Sequence, residues 1–385
     1  MATKLEISQL DFDGIKDNLK TFLSQQDEFT DYDFEGSGMN ILLDVLAYNT
    51  HYLGYNANML ANEMYLDSAD QRSSVVSLAK QVGYTPRSAS SSVARIDVLV
   101  NNGSGASITM SRGTKFTTTV DGTNYSFVNN ADVSISPVDG VYKFSNLDIY
   151  EGTYLNYKYT ANTSDTDQRF IIPNDNVDTT TLTVKVQNSS SDSTTNTYRL
   201  ASGITALDST STVYFLQEVE NGRFEVYFGD GVLGKAIADG NIVILDYVTC
   251  NLDEPNGATS FTLSGTVGGF ANVTITTIDN AANGSAAETI KSIKYNAPRD
   301  YTSQDRAVTA EDYKVLVKSL YANAQSVQVY GGEDAATPDY GKVYISIKAK
   351  SGSNLTEVTK TSLVQSLKSF AVASVTPVII DPETT

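Results

Sequence analysis

The sequence has one cysteine (Cys250), one histidine (His51) and no tryptophan. A lone thiol excludes an intramolecular disulfide framework and any thiolate metal cluster, and imidazole and thiolate ligands are too few for a zinc site. Nucleophilic catalysis of the Ser–His–Asp kind needs an imidazole within reach of the hydroxyl. His51 sits inside a helical stretch, two residues before Leu53, and reads as a helix-surface or interface side chain rather than a base. No Gly-x-Ser-x-Gly elbow occurs, and Cys250 has only that same histidine to activate it. Basic residues are scarce as well: 27 Lys and Arg against 45 Asp and Glu leave a net charge of −18. So acidic a surface repels phosphate backbones and anionic lipid, so neither nucleic acid nor a membrane is an expected partner. No run approaches the roughly 20 consecutive apolar residues of a membrane span. The first ten residues lack the apolar core of a secretory signal, which implies assembly in the cytoplasm. These absences argue against most enzymes, and no catalytic, cofactor-binding or metal-binding residue is assigned.

What is present is a chain of 385 residues, 41% hydrophobic and 19% charged, enough for two or three packed domains. The pattern predicts an α+β protein in three parts: a helical region over 1–87, a central antiparallel β domain over 88–284 and a small α+β domain over 285–385. In the first part Phe12, Ile15, Leu19, Phe22 and Leu23 form one helical stripe. The acidic break at 26–38 is followed by a longer helix. There Met39, Leu43, Leu46, Thr50, Leu53, Ala57, Leu60 and Met64 recur every four and three residues, a heptad seam. Leu42, Val45, Tyr52 and Met59 widen its apolar face, so it asks for more than one neighbour and belongs in a bundle. Asn49 and Thr50 suit either a register-fixing pair or a solvated edge. Ser68 and Gln71 have capping-box spacing before a third helix, which Gly83 and Pro86 end.

From 93 to 285 the period changes to two. Val93–Val100, Thr181–Val186, Phe224–Phe228, Ile242–Val248 and Val273–Ile278 read as strands punctuated by Gly, Asn, Asp and Ser. The all-polar stretch from Asn188 to Thr197 reads as a loop tip or hairpin connection. Ser285 and Glu288 offer a second capping box for a helix that Pro298 would end. Thr309 and Asp312 offer a third, ahead of Tyr313, Val315, Leu316, Val317 and Leu320. Strands at Val327–Tyr330 and Lys342–Lys348, a Gly331-Gly332 turn between them, a helix over 356–370 and a strand over 375–380 complete an α+β layer.

Two local patterns invite chemistry and fail its tests. Asp31-Tyr-Asp33-Phe-Glu35-Gly36 has the alternating carboxylates of a calcium loop, but the twelfth position is Leu42 where a bidentate Glu is required. A solvated acidic loop or a contact with a basic partner reads better. Gly229-Asp230-Gly231-Val-Leu-Gly234 matches the dinucleotide fingerprint in letters. The residues after it are too few for the helix that would hold a pyrophosphate, so its glycines read as positive-φ residues of a β turn.

These same pieces resemble a family. Phe228 to Lys235, with Asp239-Gly240 and the strand from Ile242, resembles the hallmark turn of the baseplate-J-like family of contractile phage tails, carried by Gly229, Asp230, Gly231 and Gly234. Pro298-Arg-Asp-Tyr with Arg306, Thr309, Glu311, Asp312 and Tyr313 looks like that family's second motif. Asp27 to Gly36, Leu46 to Tyr52 and Met59 to Met64 are similar to the start of T4-type baseplate wedge proteins of the gene-six type. The resemblance implies a structural virion subunit of the baseplate wedge. It implies pairing with a second copy of itself and with partners of the gene-seven, gene-twenty-five and gene-fifty-three types, in a ring around the hub that relays sheath contraction. It also implies further β structure beyond Val378–Pro382, so that a chain ending at Thr385 reads as a shortened form or a compact homologue. Phe12, Ile15, Leu19, Phe22, Met39, Leu43, Leu46, Leu53, Leu60 and Met64 are the expected partner-helix interface. The Tyr- and Ser/Thr-rich β domain leaves a host-surface or glycan-binding tail protein as the alternative, and a tail hydrolase as a third.

Overall fold

The computed structural model describes residues 11–26, 32–101, 107–201, 207–303, 306–321, 324–335, 337–349, 354–355, 357–368, 370–372 and 374–382. The chain is α+β and forms two compact units, Met1–Gln81 and Val82–Thr385.

The first unit holds α1 (Phe12–Leu23), α2 (Gly38–Glu63) and α3 (Arg72–Gln81). The Asp11 carboxylate accepts the Gly14 N–H and the Ser37 hydroxyl accepts that of Asn40, so each of the first two helices starts on a side-chain cap. The cap expected at Ser68 is not formed. Its hydroxyl donates instead to the Asn62 carbonyl at 2.6 Å, and the Glu63 carboxylate takes the N–H groups of Asp70 and Gln71. A carboxylate reaching back from the end of α2 outcompetes the local hydroxyl because a charged acceptor binds a backbone donor more strongly.

In the second unit the strands are β1 (Val93–Val100), β2 (Ile108–Met110), β3 (Lys115–Val120), β4 (Thr123–Asn129), β5 (Val133–Ile135), β6 (Tyr142–Glu151), β7 (Thr153–Thr160), β8 (Phe170–Ile171) and β9 (Val177–Gln187). They continue with β10 (Thr195–Leu200), β11 (Val213–Glu218), β12 (Phe224–Phe228), β13 (Ile242–Thr249), β14 (Thr262–Ser264) and β15 (Thr274–Ala282). A six-stranded sheet runs β14-β3-β4-β6-β1-β15 and a seven-stranded sheet β7-β13-β9-β10-β11-β12-β8, with β2 and β5 as a separate pair. Pairing is antiparallel in these sheets except between β10 and β11. The polar stretch after Gln187 is the β9–β10 hairpin connection, and its last residues enter β10. Each sheet has its own apolar cluster, one around Ile96, Phe116, Phe127 and Phe144, the other around Val184, Val226, Leu245 and Tyr247.

One residue joins the two sheets where β6 passes into β7. Gly152 has φ +129°, and a Cβ there would run into the carbonyl of Thr249. Gly152→Ala is therefore expected to cost more than about 3 kcal/mol, strain plus a backbone displacement, read as a fall in the urea midpoint. Arg112, in the turn after β2, reaches across to the seven-stranded sheet. Its Nη2 donates to the Thr181 carbonyl at 2.9 Å and its Nη1 lies 3.5 Å from the buried carboxylate of Asp246. Tyr154, Asn156 and Lys185 hold the same carboxylate.

The chain then forms α4 (Ile290–Ser303), α5 (Ala310–Leu320), β16 (Ala324–Gly331), β17 (Lys342–Ala349), α6 (Glu357–Lys368) and β18 (Thr376–Ile380). The last sheet is ordered β16-β17-β18, antiparallel then parallel. α5 packs on β16, α6 on β18 and on α5, and α4 on α5. Tyr313, Leu316, Val317, Ile345, Ile347, Leu363 and Leu367 fill the core beneath. Three expectations need correction. Pro298 lies inside α4 and does not end it, because Ile293 and Ala297 are fully buried and their packing overrides the missing N–H. Ser285 and Glu288 do not cap that helix; the Thr289 hydroxyl accepts the Ser292 N–H instead. Gly331-Gly332 opens a longer connection to Lys342 and is not a tight turn. Among the described residues, no helix is long and apolar enough to cross a membrane.

Candidate interaction surfaces

α2 is long because nothing in it breaks a helix: no proline occurs over 26 residues and a side-chain cap starts it. Its buried residues are Asn40, Leu43 and Ala47, which with Ile15 mark the strip where α1 lies against it. Lys16 pairs with Asp44 and Lys20 with Asp33, tying α1 to the start of α2 and to the turn before it. Past that strip the seam is open. Leu46 is 52% exposed, Leu53 61%, Leu60 63% and Met64 69%. Met39, Phe12 and Leu19 are half-buried, and Phe22 is exposed. The open surface is wider than the seam, for Ile41, Leu42, Val45, Tyr48, Tyr52 and Tyr55 also face solvent. Between Asp44 and Glu63 stands no Asp, Glu, Lys or Arg. A helix this apolar on so many sides is a buried helix by composition. Of the acidic loop ahead of it, Asp27, Glu28 and Asp31 lie outside the described residues, and Asp33 is the partner of Lys20.

The glycine turn is a rigid β connection. Gly231 and Gly234 have φ of +87° and +91°, and a Cβ on Gly229 would collide with the backbone of Leu233 and Gly234. The Asp230 carboxylate accepts the N–H groups of Leu233 and Val232, each at 2.9 Å, which holds its pKa below the ordinary value. The loop so fixed presents Val232 and Leu233 to solvent. No helix follows, so nothing here cradles a phosphate.

At the second motif the cap forms as spaced. Thr309 accepts the Asp312 N–H at 3.2 Å, and the Asp312 carboxylate accepts those of Thr309 and Val308. Glu311 accepts from the Tyr295 hydroxyl at 2.9 Å and pairs with Lys314, and both hold its pKa down. Tyr313 is buried in the core under α5, while Arg306 is exposed. Thr309→Ala is expected to cost about 1 kcal/mol, a shift of a few degrees in the melting of this part of the chain.

Glu288 is a functional-looking carboxylate that sequence reasoning assigned to the wrong task. It is buried and accepts from the Tyr84 hydroxyl (2.8 Å), the Arg87 N–H (3.2 Å), the Ser292 hydroxyl (2.6 Å) and Asn296 Nδ2 (2.9 Å). Burial and the adjacent Glu288 charge push the Tyr84 phenol far above its ordinary pKa. These bonds go to the chain's own polar groups, so the cluster fastens Tyr84 and Arg87 to the start of α4. Cys250 is buried, donates to the Asn176 carbonyl, and has its thiol pushed up to about 11 by that burial. Such a thiol is a poor nucleophile at neutral pH.

The features that stand out are thus surfaces and turns. Three family models match this chain: "Baseplate wedge protein gp6-like, helical domain" over residues 11–84, "Bacteriophage baseplate wedge protein gp6, third domain" over 157–251, and "Baseplate structural protein gp6, C-terminal domain I" over 309–380. The baseplate wedge protein gp6 of Enterobacteria phage T4 is 31% identical over 96% of this chain. The match takes in 58% of that protein, so the chain spans a little over half the length of this relative. A cryo-EM structure of the anti-feeding prophage baseplate covers all of this chain and 81% of its own, at 11% identity and a TM-score of 0.36.

Proposed function

The chain belongs to the gp6 family of baseplate wedge proteins, and from that premise we propose that it is a non-enzymatic structural subunit of the baseplate wedge of a contractile-tailed bacteriophage. In this reading it resides in the virion and pairs with a second copy of itself. It binds a gene-seven-type partner through its helical unit, with gene-twenty-five and gene-fifty-three types as further neighbours. The ring so formed surrounds the hub and relays sheath contraction.

The observation that carries the reading is the open apolar face of α2. Leaving several Leu and Tyr side chains in water along one uncharged helix forgoes about 1.5–3 kcal/mol for each large side chain that a partner would bury. Soluble chains rarely leave so large a contiguous patch uncovered. The heptad spacing of Leu46, Leu53 and Leu60 suits a helix as the covering element. Phe12, Leu19, Phe22 and Met39 extend the same surface toward α1 and Met64 closes it, whereas Ile15 and Leu43, expected on it, are buried in the contact between α1 and α2. The Gly229–Gly234 turn and the Thr309 cap serve as rigid supports. The test is co-purification of the wedge with the open face made acidic.

A further inference from the structure

β16 is an edge strand. It pairs with β17 on one side and, among the described residues, with nothing on the other. Sheet edges carry devices that stop another strand from adding: a charge, a proline, or too few residues. The other edges here have them. β7 carries Lys158, β15 carries Asp279 and β18 carries Pro377. β14 is three residues long and β8 two. β16 runs eight residues, Ala-Gln-Ser-Val-Gln-Val-Tyr-Gly, with neither charge nor proline. Its Val327 and Val329 are fixed in the core under α5, while Gln325, Ser326 and Gln328 are exposed.

Beside the start of this edge lies a cavity of about 450 Å³. It reaches Ala324 and is lined by Tyr295 and Asp300 of α4 and by Leu200 and Leu216 of the seven-stranded sheet. Its charged walls balance, Arg87 and Lys318 against Glu288 and Asp300. α5 and α6 each rest on a strand of the three-stranded sheet, whereas α4 rests on α5. The helix layer has one member more than this sheet supports.

We propose that β16 takes up an extended, uncharged segment of a partner polypeptide as a fourth strand, one end of which enters the cavity beside α4. This rests on the reading of the chain as a baseplate subunit. The uncharged edge and the balanced cavity favour a segment without charges of its own. A second copy fits less well. Antiparallel pairing of two β16 edges about a two-fold axis sets both helix layers on one face, where α4 of each copy meets the helices of the other.

Hydrogen exchange of residues 324–331 tests this on the isolated chain, dilute and concentrated, and on the wedge assembled by co-expression with the other tail proteins. The amides of the free edge should exchange at least tenfold more slowly in the wedge and not respond to concentration alone. Ser326→Lys with Gln328→Lys, both exposed, should keep the thermal midpoint and lower incorporation at least tenfold. Unchanged exchange in an assembled wedge overturns the proposal and leaves the structural role standing. Normal incorporation of the double variant overturns it too, as does protection that grows with concentration, which marks a second copy. If the chain never enters a wedge, the structural role falls and this inference falls with it.

Discussion

Replacing Leu46 and Leu53 together by Asp is expected to abolish incorporation of the chain into the baseplate wedge while its melting temperature stays within a few degrees of the parent. The two halves follow from one observation. Both side chains are more than half exposed in the isolated chain, so exchanging them for carboxylates removes little packing, and exposed substitutions usually shift stability by less than about 0.5 kcal/mol. In the complex the same positions would be covered. Losing two buried Leu side chains forfeits roughly 3–6 kcal/mol, and burying two unpaired carboxylates adds a further penalty. Even the lower figure is a loss of more than about a hundredfold in affinity. Pull-down of the other wedge proteins on a tagged chain, beside far-ultraviolet circular dichroism, reads both halves. Intact co-purification of the double variant would sink the helical-partner reading. Loss of helix signal in the free variant would show instead that the face is covered within the chain.

The same helix shows why some of the fold was legible in the residues and some was not. α1, α2 and the Thr309 cap depend on neighbours within about four positions, and the sequence displays those neighbours directly. The glycine turn was legible for a similar reason: a positive φ at Gly231 and Gly234 is a demand that few other residues meet. The errors arose where a distant group intervened. Ser68 has the right spacing for a cap, but Glu63 arrives from the preceding helix with a charge. Glu288 sits three residues after Ser285, yet Tyr84, about two hundred residues away, claims it. Pro298 signals a stop, and burial of Ile293 and Ala297 outweighs the signal. The parallel pairing of β10 with β11 and the division of thirteen strands between two sheets leave no local trace, since strand neighbours are chosen by tertiary packing. Of the candidate surface, the heptad spacing and the wide apolar face beside it were readable, but the strip that is already covered was not, because which side of α2 is buried depends on where α1 lies.

Arg112→Ala is expected to destabilise the β region by about 2–4 kcal/mol at neutral pH, with a smaller effect in acid as Asp246 takes up a proton. The side chain is largely buried between two sheets that have separate apolar clusters, and it donates to Asn130 and to the Thr181 carbonyl while facing Asp246. Its guanidinium also lies 5.1 Å from the centre of the Tyr154 ring. Removing it strips those bonds and leaves Asp246 with Lys185, Tyr154 and Asn156, so the loss falls at or below the range for breaking a buried pair outright. The pH dependence follows from the carboxylate. Burial raises the pKa of Asp246, but the bonds from Asn156 and Tyr154 and the charges of Lys185 and Arg112 more than offset it, so the folded value lies below the ordinary 3.8. A depressed carboxyl contributes stability that is fully present above its unfolded pKa and is lost as pH falls through the folded one. Without Arg112 one of those offsets disappears, the folded pKa rises, and the acid-side slope becomes shallower. Urea titrations of parent and variant at pH 7, 4 and 2 should therefore converge toward the acid end. Curves that stay parallel through that range would mean that Arg112 acts by its bonds to Asn130 and the Thr181 carbonyl or by packing on Tyr154 rather than through Asp246. Arg112→Met, which keeps only the packing, would restore the parent stability in the second case alone.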